Sequence, residues 1–278
     1  MISFTTEYAP LAGCRIALWD TGPLEGSSGP TLIFVHGIGG AKVVWRPVLE
    51  LLPSSWRLIA YDYRGGGESE EDETNPLSVA EWTSDLSQLL ELRGAQDKPV
   101  LVGHSLGASI VLQFALDHPD VPGALVLVGA EAGLCRLGPM MKERARAIVE
   151  TGVDGWVKGP WRAAPPFSKT TQANRPEIID EYSRMLYLTG GERYLRAVTA
   201  IAESPDLTGS LGRIGVPVLV LIGGEDDRTT PEMGWALARG LPNARGVEIP
   251  DVGHTLSYEA PDRVAAEIVQ FLGERGLS

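Results

Sequence analysis

Gly103-His104-Ser105-Leu106-Gly107 is the most informative motif in this chain. It fits the pattern G-x-S-x-G, in which a serine occupies a sharp turn between a strand and a helix. Residues 98–102 before it predict a short buried strand, and residues 108–118 after it carry apolar side chains at helical spacing. The flanking glycines let strand and helix pass closely without a clash at Cβ. The motif therefore predicts an exposed serine hydroxyl at the end of a buried sheet.

Strand-like and helix-like stretches alternate along most of the chain. Two early strands suggest a hairpin with Gly13 near its turn, and the later ones are continuous apolar runs separated by helices. Such alternation is typical of a mostly parallel sheet covered on both faces, so the fold class is α/β with an eight-stranded sheet. The expected strands are residues 4–8, 15–20, 31–35, 57–61, 98–102, 124–128, 216–222 and 245–249. The expected helices are residues 45–52, 76–93, 108–118, 231–241 and 261–276.

The alternation breaks between residues 131 and 206, where glycine and proline divide several short helical stretches and no strand is indicated. We expect this segment to be a helical cap inserted between strands 6 and 7. Residues 1–130 and 207–278 would then form one core domain. Because ligands bind at the carboxyl ends of strands in open α/β sheets, a cap here would cover the site.

Composition limits the classes of function. The chain has 278 residues, is 44% hydrophobic and 22% charged, and carries a net charge of −12. An acidic protein is a poor partner for nucleic acid or anionic membranes. The opening residues are not a basic and apolar leader, the apolar runs are only strand-length, and two distant cysteines form no disulfide framework. We therefore expect a cytoplasmic protein with no membrane span.

A serine nucleophile needs a general base, and the chain offers only four histidines. His36 and His104 lie inside glycine motifs, and His118 lies at a helix end. His254 lies in a loop between the last strand and the last helix, from which it could reach back over the sheet. We therefore predict that His254 is the base for Ser105.

The carboxylate that orients this base should lie after a late strand, between Ser105 and His254 in chain order. The loop between Gly224 and Pro231 holds three adjacent acids. Asp227 is the prediction, and Asp226 is the near alternative. A third option is Glu131, after the preceding strand.

Two backbone amides should stabilise the oxyanion that forms when serine attacks a carbonyl. Leu106, directly after the serine, is expected to supply one amide. Ile38, in the glycine-rich loop that follows residues 31–35, is expected to supply the other. His36 and Arg64 are interpreted as structural, the first bonding within its loop and the second pairing with a nearby acid.

Four motifs in this order resemble those of the α/β-hydrolase superfamily over nearly the whole chain. They are residues 36–40, 62–69, 103–107, and 227–231 followed by 253–254. The resemblance implies the α/β-hydrolase fold with a helical cap and a triad of serine, histidine and aspartate. It also implies that no metal and no organic cofactor is needed.

Within the superfamily, residues 141–145 and 200–207 are similar to 3-oxoadipate enol-lactonase-like hydrolases. Residues 104–108 and the region around 134–136 depart from that family's pattern. The resemblance implies a serine hydrolase that cleaves a small carboxylic ester or lactone through an acyl-enzyme. The same triad could instead serve C–C bond hydrolysis, amide hydrolysis, perhydrolysis or acyl transfer, and a ligand-binding receptor of low turnover is a further alternative.

The expected partner is a small-molecule substrate, with no nucleic acid and no membrane, and a homo-oligomer is left open. Candidate pocket residues are Trp45, Leu134, Trp156 and Trp161. Residues 131–205 carry eleven Lys plus Arg against nine Asp plus Glu. We interpret these charges as solvated helix faces, and a substrate that carries a carboxylate is the alternative.

Overall fold

A computed structural model describes residues 4–23, 29–70 and 77–278. Eight strands in these ranges form one sheet in the order β1-β2-β4-β3-β5-β6-β7-β8. The first pairing and the β2–β4 pairing are antiparallel, and all the others are parallel. The expected α/β fold with a mostly parallel eight-stranded sheet is confirmed. The strands are β1 (Glu7–Leu11), β2 (Cys14–Asp20), β3 (Thr31–Val35), β4 (Arg57–Tyr61), β5 (Val100–His104), β6 (Ala124–Val128), β7 (Val218–Gly223) and β8 (Ala244–Ile249).

The central strands are buried on both faces because helices cover the sheet. Every residue of β5, β6 and β7 is buried, which explains their continuous apolar sequence. The parallel strands end at one edge, and the loops that follow β3, β5, β7 and β8 meet there. This edge brings together segments that are distant in sequence.

Ten α-helices lie in the described residues. A serine N-cap begins α2: the Ser78 hydroxyl accepts a hydrogen bond from the Glu81 amide at 3.1 Å, so the helix begins at Val79. The expected start at residue 76 lies outside the described residues. None of the described helices is long and apolar enough to cross a bilayer. The helices are α1 (Arg46–Leu49), α2 (Val79–Leu92), α3 (Leu106–Asp117), α4 (Gly138–Trp156), α5 (Lys169–Asn174), α6 (Pro176–Thr189), α7 (Gly191–Ala202), α8 (Pro231–Gly240), α9 (Leu256–Glu259) and α10 (Pro261–Glu274).

Helices α4 to α7 fill the chain between β6 and β7, where the sequence predicted no strand. Gly152, with φ of 70°, breaks the helical geometry inside α4, and Gly190, with φ of 75°, separates α6 from α7. A π-helical turn at Val157–Trp161 contains Pro160. These breaks explain the short helices. The division of the chain into a core at 1–130 and 207–278 and a cap at 131–206 stays a prediction.

The first strand differs from its prediction. It spans Glu7–Leu11 rather than residues 4–8, because Leu11 pairs with Cys14 across a tight turn at Ala12 and Gly13. Gly13 has φ of 78°, which glycine adopts at little cost. The turn therefore sets the register of the hairpin.

Helix α3 packs so closely on the sheet that glycine is required at two positions. A Cβ on Gly107 would lie 2.2 Å from the carbonyl oxygen of Val35, and a Cβ on Gly103 would lie 2.4 Å from the carbonyl oxygen of Gly107. Both contacts are with backbone, which cannot rotate away. We expect Gly107→Ala to lower the free energy of unfolding by about 3 kcal/mol, as measured by urea denaturation.

Gly215→Ala is the matched control for this substitution, because nothing lies within 4 Å of its added Cβ. We expect it to change the free energy of unfolding by less than about 0.5 kcal/mol. Equal effects of the two substitutions would contradict the close packing of α3 on the sheet.

Candidate active site

Four loops at the carboxyl edge of the sheet carry the residues of the candidate site. Ser105 directly follows β5, Asp226 follows β7, His254 follows β8 and Ile38 follows β3. The residues Ser105, His254 and Asp226 are each more than nine-tenths buried. The fold therefore gathers a hydroxyl, an imidazole and a carboxylate at one place.

Ser105 has a strained backbone. Its φ is 51° and its ψ is −114°, a conformation that costs a non-glycine residue about 1–3 kcal/mol. It is the N-cap of α3, yet its side chain makes no capping hydrogen bond. Gly37 faces it so closely that an added Cβ would lie 3.2 Å from the Ser105 Cβ. Ser105 therefore lines the cavity together with His254, and its hydroxyl does not cap the helix.

His254 is bound to Asp226 and not to Asp227. The His254 Nδ1 lies 2.8 Å from the Asp226 Oδ2. Asp227 has a side chain that is 65% exposed, and its carboxylate lies 3.3 Å from the Arg228 Nε. The prediction of Asp227 as the partner of His254 is therefore wrong by one residue, and the near alternative is the residue that makes the contact.

The conformation of the turn after β7 explains why His254 contacts Asp226 and not Asp227. The Asp226 Oδ1 accepts hydrogen bonds from the backbone amides of Arg228 at 2.8 Å and Thr229 at 3.0 Å, while the Thr229 hydroxyl donates to Oδ2 at 2.8 Å. An Asp that accepts from amides two and three residues ahead must point into the turn, so the next side chain points out. The geometry of the loop, and not its composition, selects the inward carboxylate.

The same contacts keep Asp226 ionised. Burial alone would raise the pKa of this carboxyl, but the charge of His254 and the hydrogen bonds from His254, Arg228 and Thr229 hold it below the ordinary value. A carboxylate that stays ionised can accept the Nδ1 proton of His254. The Nε2 atom of His254 is then the one left to accept a proton.

Two neighbours hold the His254 loop. The His104 Nε2 lies 2.9 Å from the His254 carbonyl oxygen and therefore carries the proton of that contact. Burial lowers the pKa of His104 to about 3, so its ring stays neutral at physiological pH. The Glu259 Oε1 accepts from the amides of Gly253 at 3.0 Å and Thr255 at 3.2 Å. Both sides of His254 are thus fixed through its backbone.

The amides of Ile38 and Leu106 are available for a ligand. Leu106 is the first residue of α3, where a backbone amide has no partner within the helix. Across residues 4–23, 29–70 and 77–278, neither amide donates to another protein group. Ile38 lines the same cavity as Ser105 and His254. Their role as the pair of oxyanion donors stays a prediction.

The cavity above Ser105 contains about 530 Å³ of atom-free space, including its mouth. Of the four predicted pocket residues, Trp161 lines it. Trp45 instead packs edge-on against the His104 ring. Trp156 packs against Tyr194 with ring centres 5.0 Å apart and lines an adjoining cavity. Leu134 is buried and is not among the described lining residues. The other lining residues are Gly37, His104, Leu137, Met140, Met141, Arg144, Pro166, Tyr182, Leu186, Tyr194 and Arg228.

Arg144 and Arg228 are the chemically important lining residues that the sequence analysis missed. Arg228 directly follows the acids of the β7 loop, so its proximity to the site could have been inferred. Arg144 lies on α4, and no sequence signal indicates that its side chain faces the cavity.

The two structural interpretations agree with the contacts. The His36 Nδ1 lies 2.8 Å from the carbonyl oxygen of Gly37, within its own loop. Arg64 donates two hydrogen bonds to the Asp85 carboxylate, at 2.9 and 2.6 Å. Such a bidentate pair fixes the loop after β4 to α2.

Glu131, the third candidate acid, lies in a different cavity beside Arg136 and Glu232. It is 3% exposed, and in the described part of the chain its Oε1 has no hydrogen-bond partner. Burial raises its pKa from 4.5 to about 7. The folded protein therefore holds the Glu131 proton between about pH 4.5 and pH 7, and stability falls as pH rises through that window.

We expect Glu131→Gln to stabilise the protein by about 2 kcal/mol at pH 8 and to change stability little at pH 4.5, because glutamine stays neutral. Chemical denaturation at both pH values measures this. Glu232→Gln, at an exposed position of the same cavity, should gain no stability at pH 8. A gain from Glu131→Gln that is the same at both pH values would refute a buried, titrating Glu131.

Among the described residues, no cluster of three or more His, Cys, Asp or Glu side chains could hold a metal ion. The chemistry available at the site is that of a hydroxyl, an imidazole bound to a carboxylate, and two free amides.

Comparisons with known proteins show the family of the chain. A model of the Alpha/beta hydrolase family matches residues 32–267. RutD of Serratia proteamaculans (strain 568), a candidate carbamate hydrolase, is 30% identical over 233 residues, which are 82% of this chain and 85% of that protein. A thermophilic esterase from Thermogutta terrifontis, solved with malate bound, has a TM-score of 0.86 at 28% identity, covering 97% of this chain and 98% of that one.

The enol-lactonase from Burkholderia xenovorans LB400 also has a TM-score of 0.86, at 24% identity, and covers 96% of this chain and 100% of that one. This likeness shows a common fold. Because the family model spans most of the chain and the relatives are named hydrolases, the chain is a hydrolytic enzyme that belongs to the alpha/beta hydrolase family.

Proposed function

We propose that the enzyme is a serine hydrolase that cleaves a small carboxylic ester or lactone through an acyl-enzyme. The observation that carries this proposal is the strained Ser105 in one cavity with His254, whose Nδ1 lies 2.8 Å from Asp226. Ser105 is the nucleophile, His254 the general base and Asp226 the carboxylate that orients it.

In the first step the Ser105 Oγ attacks the carbonyl carbon while its proton passes to the His254 Nε2. The oxygen of the former carbonyl becomes an oxyanion, which the amides of Ile38 and Leu106 stabilise. The C–O bond to the leaving group then breaks, and the leaving oxygen takes the proton from Nε2. With a lactone, the released hydroxyl remains attached to the acyl group.

In the second step water attacks the acyl-enzyme and gives a proton to the His254 Nε2. The bond between the acyl carbon and the Ser105 Oγ breaks, and Oγ recovers that proton. Asp226 keeps the Nδ1–H tautomer of His254 and stabilises the imidazolium formed in each step.

Relatives support an ester or lactone as substrate, since an esterase is 28% identical and an enol-lactonase shares the fold. A second candidate reaction is carbamate hydrolysis, because a candidate carbamate hydrolase is 30% identical over 82% of the chain. It would use the same residues, with a C–N or C–O bond of the carbamate as the one that breaks.

A substrate panel tests the proposal. Purified enzyme is assayed with 4-nitrophenyl esters of short acids, small lactones and a 4-nitrophenyl carbamate, and kcat/KM is compared. We expect the esters and lactones to be turned over, with a burst of 4-nitrophenol equal to the enzyme concentration if deacylation is slow. Binding of these compounds without turnover would instead support a receptor.

A further inference from the structure

A second cavity lies apart from the one that holds Ser105. It is bounded by the loop after β6 and by helix α8, and it contains about 540 Å³ of atom-free space, including its mouth. Among the described residues, none lines both cavities. The mechanism proposed for Ser105 therefore makes no use of this second cavity, which we call the Glu131 cavity.

Glu131 places a buried carboxyl in the wall of this cavity. It is 3% exposed, and within residues 4–23, 29–70 and 77–278 its Oε1 has no hydrogen-bond partner. The neighbouring guanidinium of Arg136 donates instead to the Asp206 carboxylate at 2.6 Å and to the Thr208 hydroxyl at 2.8 Å. A buried polar group without a partner costs free energy. A molecule in the cavity that donates to Glu131 would remove that cost.

The charges around the Glu131 cavity favour a cation over an anion. Glu131, Arg136 and Glu232 line it, and Asp206 lies against Arg136. When Glu131 is ionised, these are three carboxylates and one guanidinium, so two negative charges are left over. Such a wall repels an anion and attracts a positively charged ligand.

The rest of the wall is mainly apolar. Three separate elements supply these side chains, and the two leucines among them are each 2% exposed. The apolar lining residues are Ala132, Leu211, Met233, Ala236 and Leu237. An apolar wall with a few polar groups that fix orientation is typical of small-molecule sites. The Glu131 cavity therefore suits a molecule with one charged end and one apolar end.

We propose that the Glu131 cavity binds a small organic ammonium ion, with the ammonium group on Glu131 and the alkyl part against the apolar wall. An ammonium group has three donors and no acceptor, so it supplies both the hydrogen bond and the charge that the Glu131 carboxylate needs. This inference goes beyond the proposed function, because it assigns a second site that does not involve Ser105.

The site should bind an ammonium ion more tightly as pH rises. Burial raises the pKa of Glu131 to about 7, with a smaller lowering effect of Arg136 and a smaller raising effect of Asp206. An ammonium ion pairs with the ionised carboxyl, whose fraction rises from about one-tenth at pH 6 to about nine-tenths at pH 8. The dissociation constant should therefore fall about tenfold between these pH values.

The other charged groups at the cavity keep their charge across this range. Hydrogen bonds from Thr208 and Arg136 lower the pKa of Asp206 to about 2. A hydrogen bond from the Thr230 side chain holds the pKa of Glu232 below its ordinary value. Arginine stays protonated throughout. A change in affinity between pH 6 and pH 8 would therefore report the titration of Glu131.

Calorimetry with n-hexylamine and 1-hexanol tests the proposal. The two probes share the same alkyl chain, and the amine stays charged at both pH values. At pH 8 the wild type should bind hexylamine about tenfold more tightly than hexanol, and the affinity for hexylamine should fall about tenfold at pH 6. Glu131→Gln should remove both the preference for the amine and its pH dependence.

Two further variants control for the charge and for its position. Glu131→Asp keeps a carboxyl at the same position and should retain a preference for hexylamine at pH 8. Glu232→Gln removes a negative charge from an exposed position of the same cavity. It should weaken the binding of hexylamine less than about threefold and leave its pH dependence intact.

The methionine methyl groups report where the probe binds. Met233 lines the Glu131 cavity, whereas Met140 and Met141 line the Ser105 cavity. In NMR spectra of isotope-labelled methionine methyl groups, hexylamine should shift the Met233 signal, which Met233→Leu identifies, and leave the signals of Met140 and Met141 in place.

Several results would overturn this site. They are equal affinity of the wild type for the two probes, no binding of hexylamine at pH 8, and binding that Glu131→Gln leaves unchanged. A shift of the Met140 or Met141 signal without that of Met233 would place the amine elsewhere and refute the site as well. An affinity that falls as pH rises would mean that protonated Glu131 donates to a neutral acceptor. None of these results bears on the hydrolase proposal, which the substrate panel tests separately.

Discussion

Asp226→Asn should lower kcat on an activated ester by about 10⁴-fold, with KM little changed. Asparagine fits the space of Asp226, and the amides of Arg228 and Thr229 can still hold it. Its NH₂ group, however, would meet the His254 Nδ1 or leave it without an anionic partner, so the ring would lose the tautomer that leaves Nε2 free to accept a proton. The imidazolium of the transition state would also lose its counter-charge.

Asp227→Asn is the matched control for this prediction. It makes the same chemical change one residue away, on a side chain that is 65% exposed and turned from His254. Its kcat should stay close to that of the wild type. A large loss in Asp227→Asn together with little loss in Asp226→Asn would show that the turn after β7 is oriented differently in the working enzyme.

Ser105→Ala should lower kcat by about 10⁶-fold, because the variant lacks the hydroxyl that becomes acylated in the proposed mechanism. Ser109→Ala, one helical turn along α3, removes another buried serine hydroxyl and should retain turnover. Stopped-flow assays with a 4-nitrophenyl ester measure both variants. Residual turnover of Ser105→Ala near the wild-type rate would mean that another residue is the nucleophile.

The backbone strain at Ser105 predicts a second measurable effect at this position, on the free energy of unfolding. A residue with φ of 51° is strained unless it is glycine. Ser105→Gly should therefore raise the free energy of unfolding by about 1 kcal/mol while turnover is lost. A higher free energy of unfolding together with a loss of turnover would show that the backbone strain at this turn serves catalysis and not stability.

The buried strands were predictable because their sequence is continuous and apolar. Residues 31–35, 57–61 and 124–128 were each predicted to the residue. The ends of other strands depend on single backbone features. Strand β5 begins at Val100 and not at Lys98, since Lys98 has φ of 50° and Pro99 has no amide to donate. Such features are not visible as a hydrophobic pattern.

Residues of the candidate site could be predicted where their position along the chain places them at the end of a strand. They could not be predicted where the direction of the side chain determines which residue faces the site. Ser105 and His254 follow from their positions after two strands of a parallel sheet. The choice between Asp226 and Asp227 depends on which side chain accepts the amides of its own turn. The cavity arginines depend on how α4 lies over the sheet, which is tertiary packing and leaves no local signal in sequence.

Labelling with a fluorophosphonate tests whether Ser105 is an activated nucleophile, because the reagent needs a serine activated by its own base. After proteolysis and mass analysis, the wild type should carry one phosphonate per chain on Ser105, and Ser105→Ala should carry none. Asp226→Asn should react far more slowly than Asp227→Asn. Modification of another residue, or equal labelling of the wild type and Ser105→Ala, would contradict an activated Ser105.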